Sequence, residues 1–285
     1  YSRATNEPLM PYLDNIVNFT NMTSCGTSTA VSVPCMFAKD NRTEFDNGSL
    51  DYTENVLDIF KKNGWKVIWI ENNSDCKGVC TRVETHTPCP TGAGTCFDSI
   101  LTNEMKKQLD TLSTNTLIVM HQAGSHGPTY YKRYPKDFSR FVPVCNTEKL
   151  NQCTTEEIIN TYDNTILYTS QNLADIISIL QKKPEYNSML FYVSDHGESL
   201  GEYNIYLHSA PYVVAPKEQT HVPFFIWADK KTLSALKLDK KCLKNQIQNN
   251  YSHDNIFHSL LKIGGISAQE YNQNLDIFYN CFNKN

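Results

Sequence analysis

The chain has 285 residues, 40% apolar and 20% charged, with a formal net charge of −4. That is ordinary globular composition, with room for one large core or two smaller ones. The weak charge and the lack of a long Lys/Arg block exclude nucleic acid as an expected partner. No apolar stretch reaches the roughly 18–20 residues a membrane helix needs.

The chain opens Tyr1-Ser2-Arg3, with neither an initiator Met nor a signal peptide. The first distinctive run is Cys25-Gly26-Thr27-Ser28-Thr29-Ala30-Val31-Ser32-Val33-Pro34-Cys35, a small-residue turn entering a short helix. A helix start presents free N–H groups and a positive dipole end, so a hydroxyl there is well placed to attack phosphorus. Asn55–Lys62 follows as an amphipathic helix closed by Gly64, then a strand over Lys66–Ile70. Asn72 to Thr102 is rich in Cys, Pro and Gly and reads as a stapled loop. A strand over Thr116–His121 runs directly into Gln122-Ala123-Gly124-Ser125-His126-Gly127-Pro128, and Tyr130–Cys153 is a second stapled loop.

Thr155–Leu180 carries Ile158, Ile159, Tyr162, Ile166, Leu167, Leu173, Ile176 and Ile177 at helical spacing. Thr154 or Thr155 caps it, Glu156 and Glu157 suit its first turn, and Pro184 follows its end. The strand Met189–Ser194 then ends abruptly in Asp195-His196-Gly197-Glu198. That offers a hard oxygen ligand beside an imidazole nitrogen, a pair that suits a zinc-like cation. His208 lies just beyond, and Pro223–Ala228 is the last strand. Apolar runs alternating with helices predict an α/β fold: an α/β/α sandwich with a mainly parallel central sheet. Its active site would collect at the carboxyl ends of the strands, where His121, His126, His196 and His208 all fall.

Ten cysteines are the second constraint. Cys25 with Cys35, Cys76 with Cys80, Cys89 with Cys96 and Cys145 with Cys153 form short-range pairs, and Cys242 and Cys281 remain by elimination. Even count and loop-like surroundings indicate disulfides in an oxidising compartment. A cysteine zinc site fails on spacing, since no two C-x-x-C pairs occur. Each short bridge removes little chain entropy, on the order of 2–3 kcal/mol, and rigidifies a loop more than it holds the fold. An oxidised chain without a leader is expected to be the exported portion of something longer. N-x-S/T triplets begin at Asn18, Asn21, Asn41, Asn47, Asn72 and Asn250, but an Asn-rich chain produces these by chance.

The Cys25–Cys35 run, Asn72-Asn-Ser-Asp75, His121-Gln-Ala-Gly-Ser-His-Gly-Pro128, Tyr162-Asp-Asn164, Ser194-Asp-His-Gly-Glu-Ser-Leu-Gly-Glu202, Leu207-His208 and Ala215-Pro-Lys-Glu-Gln219 come in a telling order. It resembles that of bacterial phosphoethanolamine transferases, the lipid A-modifying enzymes that include the mobile colistin-resistance proteins. Those are similar in fold to alkaline phosphatases and sulfatases. The resemblance spans nearly the whole chain. It implies one periplasmic catalytic domain, 1–285, of an inner-membrane protein whose amino-terminal membrane helices are absent here, and an expected monomer.

The same resemblance implies Thr29 as nucleophile and metal-bound group, and Zn2+ held by Asp195 and His196. It implies His126 and His208 on the phosphoryl group or a second metal, and Ser74, Lys77 and Glu198 at the donor pocket. The implied reaction moves phosphoethanolamine from phosphatidylethanolamine to lipid A through a phosphoethanolamine–threonine. Adding the cationic group would weaken binding of cationic peptides such as polymyxins to the outer surface.

There is one departure. The family's remaining zinc ligand is a Glu in a Gly-Glu pair on a first strand upstream of Thr29, and none of Glu7, Glu44 or Glu202 has that context. Three protein ligands instead of four predict weakened zinc binding and low activity, and a lost central strand would leave its neighbours unpaired. Two alternatives stand beside the transferase: a phosphatase or sulfatase-type hydrolase of the same superfamily, and a non-catalytic secreted binding module. A serine hydrolase lacks support, because no G-x-S-x-G elbow occurs.

Overall fold

The structure, a computed structural model, describes residues 4–49, 52–73, 75–90 and 96–282. After a 3₁₀ run over Ala4–Asn15, β1 (Ile16–Thr23) leads through a turn into α1 (Thr29–Phe37) and α2 (Val56–Lys62). Strands β2 (Lys66–Glu71) and β3 (Glu84–His86), helix α3 (Ser99–Leu109) and strand β4 (Thr116–His121) follow. The long α4 (Thr155–Gln181) then precedes β5 (Met189–Val193) and the small hairpin of β6 (Ser199–Leu200) and β7 (Tyr206–Leu207). The chain finishes with α5 (Lys217–Thr220), β8 (His221–Ala228), α6 (Lys230–Ala235), α7 (Lys240–Asn245), β9 (Tyr251–Ser252) and α8 (Asp254–Ile263).

Two larger sheets have the orders β5-β8-β1-β9 and β3-β2-β4. Along β2, Val67 and Trp69 face one apolar core while Ile68 and Ile70 face the other. In β8, Phe224 and Ile226 divide from Phe225 and Trp227 in the same way. Both sheets therefore share the same two cores, with α1, α2 and α8 on one side and α3 and α4 on the other. Strands that contribute side chains to both cores read as unbroken apolar runs, which is why β2, β4, β5 and β8 are visible in the sequence. The sandwich matches expectation, but the sheet is more mixed than predicted. The pairs β1/β8 and β5/β8 are antiparallel, whereas β1/β9, β2/β3 and β2/β4 are parallel. Apolar periodicity does not encode strand direction.

β4 and β5 stand at sheet edges and are half-buried along their whole lengths, unlike β2 and β8 beside them. All five expected disulfides are present, including Cys242–Cys281. α4 starts with Thr154 and Glu157 in a reciprocal capping box, and α2 with Asn55 and Asp58 in another. The stretch expected as one stapled loop from Asn72 to Thr102 also contains β3 and the first turn of α3. Among the described residues no helix is long and apolar enough to cross a membrane.

α8 buries His258, whose Nδ1 accepts the Asn272 N–H at 3.1 Å. Burial pushes this imidazole down to about 4. Because the unfolded chain binds that proton more readily, the ring's contribution is complete above about pH 6.5 and is lost as pH falls toward 4. The amount is on the order of 3 kcal/mol. His258→Asn, which keeps an acceptor for Asn272, is expected to flatten the pH dependence of chemical denaturation between pH 6.5 and 4 by that amount.

Candidate active site

Three strand or helix ends converge. The first is the turn before α1. Ser24 Oγ donates to Gly26 C=O at 2.6 Å, and Gly26 N–H donates to Ser32 Oγ at 2.9 Å. The Cys25–Cys35 bridge pins this turn to its own helix. The Val31 and Ser32 N–H groups turn back to Ser28 C=O, so Thr29 and Ala30 carry the leading amides of the helix.

The second is the end of β5. Gly197 N–H donates to Gln219 C=O at 3.0 Å, and Ser194 Oγ to His196 C=O at 2.7 Å. His196 is buried, and its Nδ1 lies 3.0 Å from Gly197 C=O. A donor to that carbonyl leaves Nε2 with its lone pair. This Nε2 sits 3.2 Å from Thr29 Oγ1 and 3.6 Å from Asp195 Oδ2. Burial alone would raise the Asp195 carboxyl. His196, a hydrogen bond from Thr29 and the nearby His121 and His253 together hold it below the usual carboxylate range.

The third is the loop carrying His208. Leu207 and Ser209, on either side, both have left-handed backbone (φ 66° and 74°), a costly conformation for residues other than glycine. Ser209 N–H donates to Thr27 C=O at 2.7 Å and Thr27 Oγ1 to Ala210 C=O at 2.6 Å, lacing this loop to the turn before α1. The His208 ring centroid is 4.4 Å from that of His196 and 4.7 Å from that of His126. Its Nδ1 meets Glu198 Oε1 at 2.8 Å, and that bond holds His208 above the ordinary imidazole range. His126 moves the other way: burial lowers it, against the pull of the Gly127 carbonyl 2.7 Å from its Nδ1.

Six of the residues expected at the site thus come together: Thr29, His126, Asp195, His196, Glu198 and His208. Glu198 is buried against His208, Tyr130 and the Gly127 amide. Lys77 stands on the Cys76–Cys80 loop with left-handed backbone and pairs with Asp75 at 3.2 Å. Ser74 lies outside the described residues. His121 enters a second polar group at the ends of β2 and β4, 3.6 Å from Glu71 and 3.3 Å from Asn73. Sequence reasoning passed over Tyr130 and His253. Tyr130 sits in a loop segment without periodicity, and His253 is distant in sequence from everything it touches.

Asp195 Oδ2 is sealed from solvent and has no hydrogen-bond partner among the described residues. A buried carboxylate oxygen left unmatched beside an imidazole lone pair and a hydroxyl is the donor set that fits a zinc-like divalent cation.

The sulfatase family profile matches residues 1–266. Phosphoethanolamine transferase EptA of Escherichia coli (strain K12) is 40% identical over 289 residues, covering 99% of this chain and 52% of that protein. Phosphatidylethanolamine transferase Mcr-1 of Escherichia coli is 38% identical over 278 residues, covering 92% of this chain and 50% of its own. The chain therefore spans about half the length of these curated relatives. The crystal structure of the soluble domain of lipooligosaccharide phosphoethanolamine transferase A from Neisseria meningitidis superposes with a TM-score of 0.96 at 41% identity. That match covers 100% of this chain and 87% of that one.

Proposed function

Since the chain belongs to the sulfatase family, and within it to the phosphoethanolamine transferases, we propose that it moves phosphoethanolamine from phosphatidylethanolamine to a lipid A-type acceptor. The observation that carries this reading is the meeting of Thr29 Oγ1 with His196 and Asp195 at the start of α1. Thr29, Asp195 and His196 would hold a zinc ion. Such an ion, when bound, lowers the pKa of a coordinated hydroxyl and offsets charge on the phosphoryl oxygens.

The chain's own residues account for the rest. Thr29 Oγ1, its proton released to solvent, forms a bond to phosphorus as the bond from phosphorus to the diacylglycerol oxygen breaks. The leading N–H groups of α1 bind phosphoryl oxygens that gain charge in that step. His208, whose hold on a proton Glu198 strengthens, donates a proton to the leaving oxygen. In the second half, an acceptor oxygen attacks the phosphoethanolamine–threonine, His208 takes the proton of an acceptor hydroxyl, and Thr29 leaves and regains its proton from solvent. The oxidised loops support a periplasmic location, and a match that spans about half the length of the curated relatives and nearly all of a soluble domain supports a longer parent protein. The two half-buried strand edges of β4 and β5 support a further strand seated between them, the place for the remaining carboxylate ligand of the family. A non-catalytic binding module predicts scattered histidines, whereas the rings of His126, His196 and His208 lie within 6.5 Å of one another.

Exposure to phosphatidylethanolamine is expected to add the mass of phosphoethanolamine to the peptide containing Thr29. Thr29→Ala should abolish both that adduct and transfer to lipid A. Full transfer by the Thr29→Ala protein would sink the assignment, and release of the group to water alone would favour the hydrolase.

A further inference from the structure

His253 touches neither the nucleophile nor the metal-binding side chains, yet it joins the segments that carry them. Its side chain is wholly buried at the junction of β9 and α8. Nδ1 accepts the Cys25 N–H at 3.1 Å, and Nε2–H donates to the Ser194 carbonyl at 3.0 Å. Cys25 opens the run that ends at Thr29, and Ser194 immediately precedes Asp195. The backbone N–H of His253 adds a third tie, to Thr23 C=O at 3.0 Å, where β9 pairs with the end of β1.

We propose that His253 is a positioning residue for the transfer reaction: a neutral imidazole strut that sets the spacing between the Thr29 turn and the Asp195–His196 strand end. The assignment rests on the reading of Thr29, Asp195 and His196 given above. A neutral imidazole accepts on one ring nitrogen and donates on the other across a rigid ring. Here each nitrogen serves one half of the site. Neither half holds the other by regular strand pairing at this point, because β1 and β5 are separated by β8 in their sheet. Placement errors near 1 Å in reacting groups cost about a hundredfold in rate, so one strut at this junction has leverage on turnover.

The two bonds can be removed separately. His253→Asn puts an amide oxygen near the Nδ1 position and retains the Cys25 bond, but falls short of Ser194. His253→Gln reaches Ser194 with its amide N–H and gives up the Cys25 bond. His258→Ala is the control, since it removes a second buried imidazole, from the helix that follows His253, one bonded to Asn272 instead.

The test uses the full chain in all four forms. Zinc affinity is measured by competition with a chromophoric chelator, kcat and KM for Thr29 adduct formation by mass spectrometry, and melting temperature alongside. Both His253 variants are expected to weaken zinc binding and lower kcat at least tenfold with KM within twofold. His258→Ala should lower the melting temperature at least as much while holding zinc affinity and kcat within threefold. Losses in the His253 variants no larger than in His258→Ala overturn the proposal. So does failure of both His253 variants to fold, which would make His253 a folding residue only. A wild-type chain that forms no Thr29 adduct refutes the functional reading, and the ratio of zinc affinities still decides the role of His253.

Discussion

Gly197→Ala is expected to lower the melting temperature by roughly 5–10 °C and to reduce Thr29 adduct formation at least a hundredfold. The cause is a backbone contact. A Cβ on Gly197 would lie 1.9 Å from the Glu218 carbonyl oxygen and 3.3 Å from Gln219 Cα. Nothing in that contact is the far end of a flexible side chain, so the backbone of one segment must move by more than an ångström. Overpacking of this kind costs roughly 1–3 kcal/mol or more. The same movement breaks the Gly197 N–H bond to Gln219 C=O. Gly197 sits between His196 and Glu198, so the displacement passes directly to the Thr29 contact and to the partner of His208. Gly265→Ala is the matched comparison. Gly265, unlike Gly197, has left-handed backbone, at φ 65°, and nothing lies within 4 Å of a Cβ there. Its cost is conformational only, about 1 kcal/mol, with adduct formation unchanged. A Gly197→Ala protein with wild-type melting and wild-type adduct formation would show that the β5 terminus does not hold the site in place.

The site was legible in the sequence where chemistry is local and hidden where it depends on distant contacts. Asp195, His196 and Glu198 follow one strand within four positions, and that strand's apolar run announces where it stops. The turn that carries Thr29 stands out through the cysteine pair around it. β1 was not visible, because Asn18, Thr20 and Asn21 interrupt its apolar residues and face outward. Its register with β8 also slips between Phe19 and Met22, where Thr20 and Asn21 bond to the carbonyls of Ile247 and Gln248 instead. A strand with that irregularity has no clean period of two to find. His253 escaped for a related reason. Its partners are 228 and 59 residues away, and a histidine just before a helix looks the same whether it faces solvent or braces an active site. The resemblance to the transferases supplied what spacing could not, namely which hydroxyl among Thr27, Ser28 and Thr29 meets His196.

Glu198 allows charge and hydrogen bonding to be separated by substitution. The buried carboxylate takes the Gly127 N–H at 3.3 Å and His208 Nδ1 at 2.8 Å on Oε1, and the Tyr130 hydroxyl at 3.0 Å on Oε2. Glu198→Ala leaves these three donors without an acceptor in a closed space, at about 1–3 kcal/mol for each one left unmatched. A loss of roughly 3–6 kcal/mol is expected, read as the midpoint of urea unfolding, with no measurable transfer. Glu198→Gln is different in kind. Its oxygen can face His208 and Gly127 while its amide N–H donates to Tyr130, because a phenol both gives and accepts a hydrogen bond. The Gly127 amide, His208 and the Tyr130 oxygen keep a partner, while the Tyr130 O–H and the second amide N–H lack one, so stability should fall by about 1–3 kcal/mol, less than in the Ala protein. What disappears is the negative charge that raises the proton affinity of His208. Transfer is therefore expected to drop at least tenfold in the Gln protein, short of the roughly hundredfold or more that losing general acid catalysis altogether costs. Wild-type transfer in a stably folded Glu198→Gln protein would remove His208 from the proton-donating role and leave Glu198 as a packing anchor for the 126–130 loop.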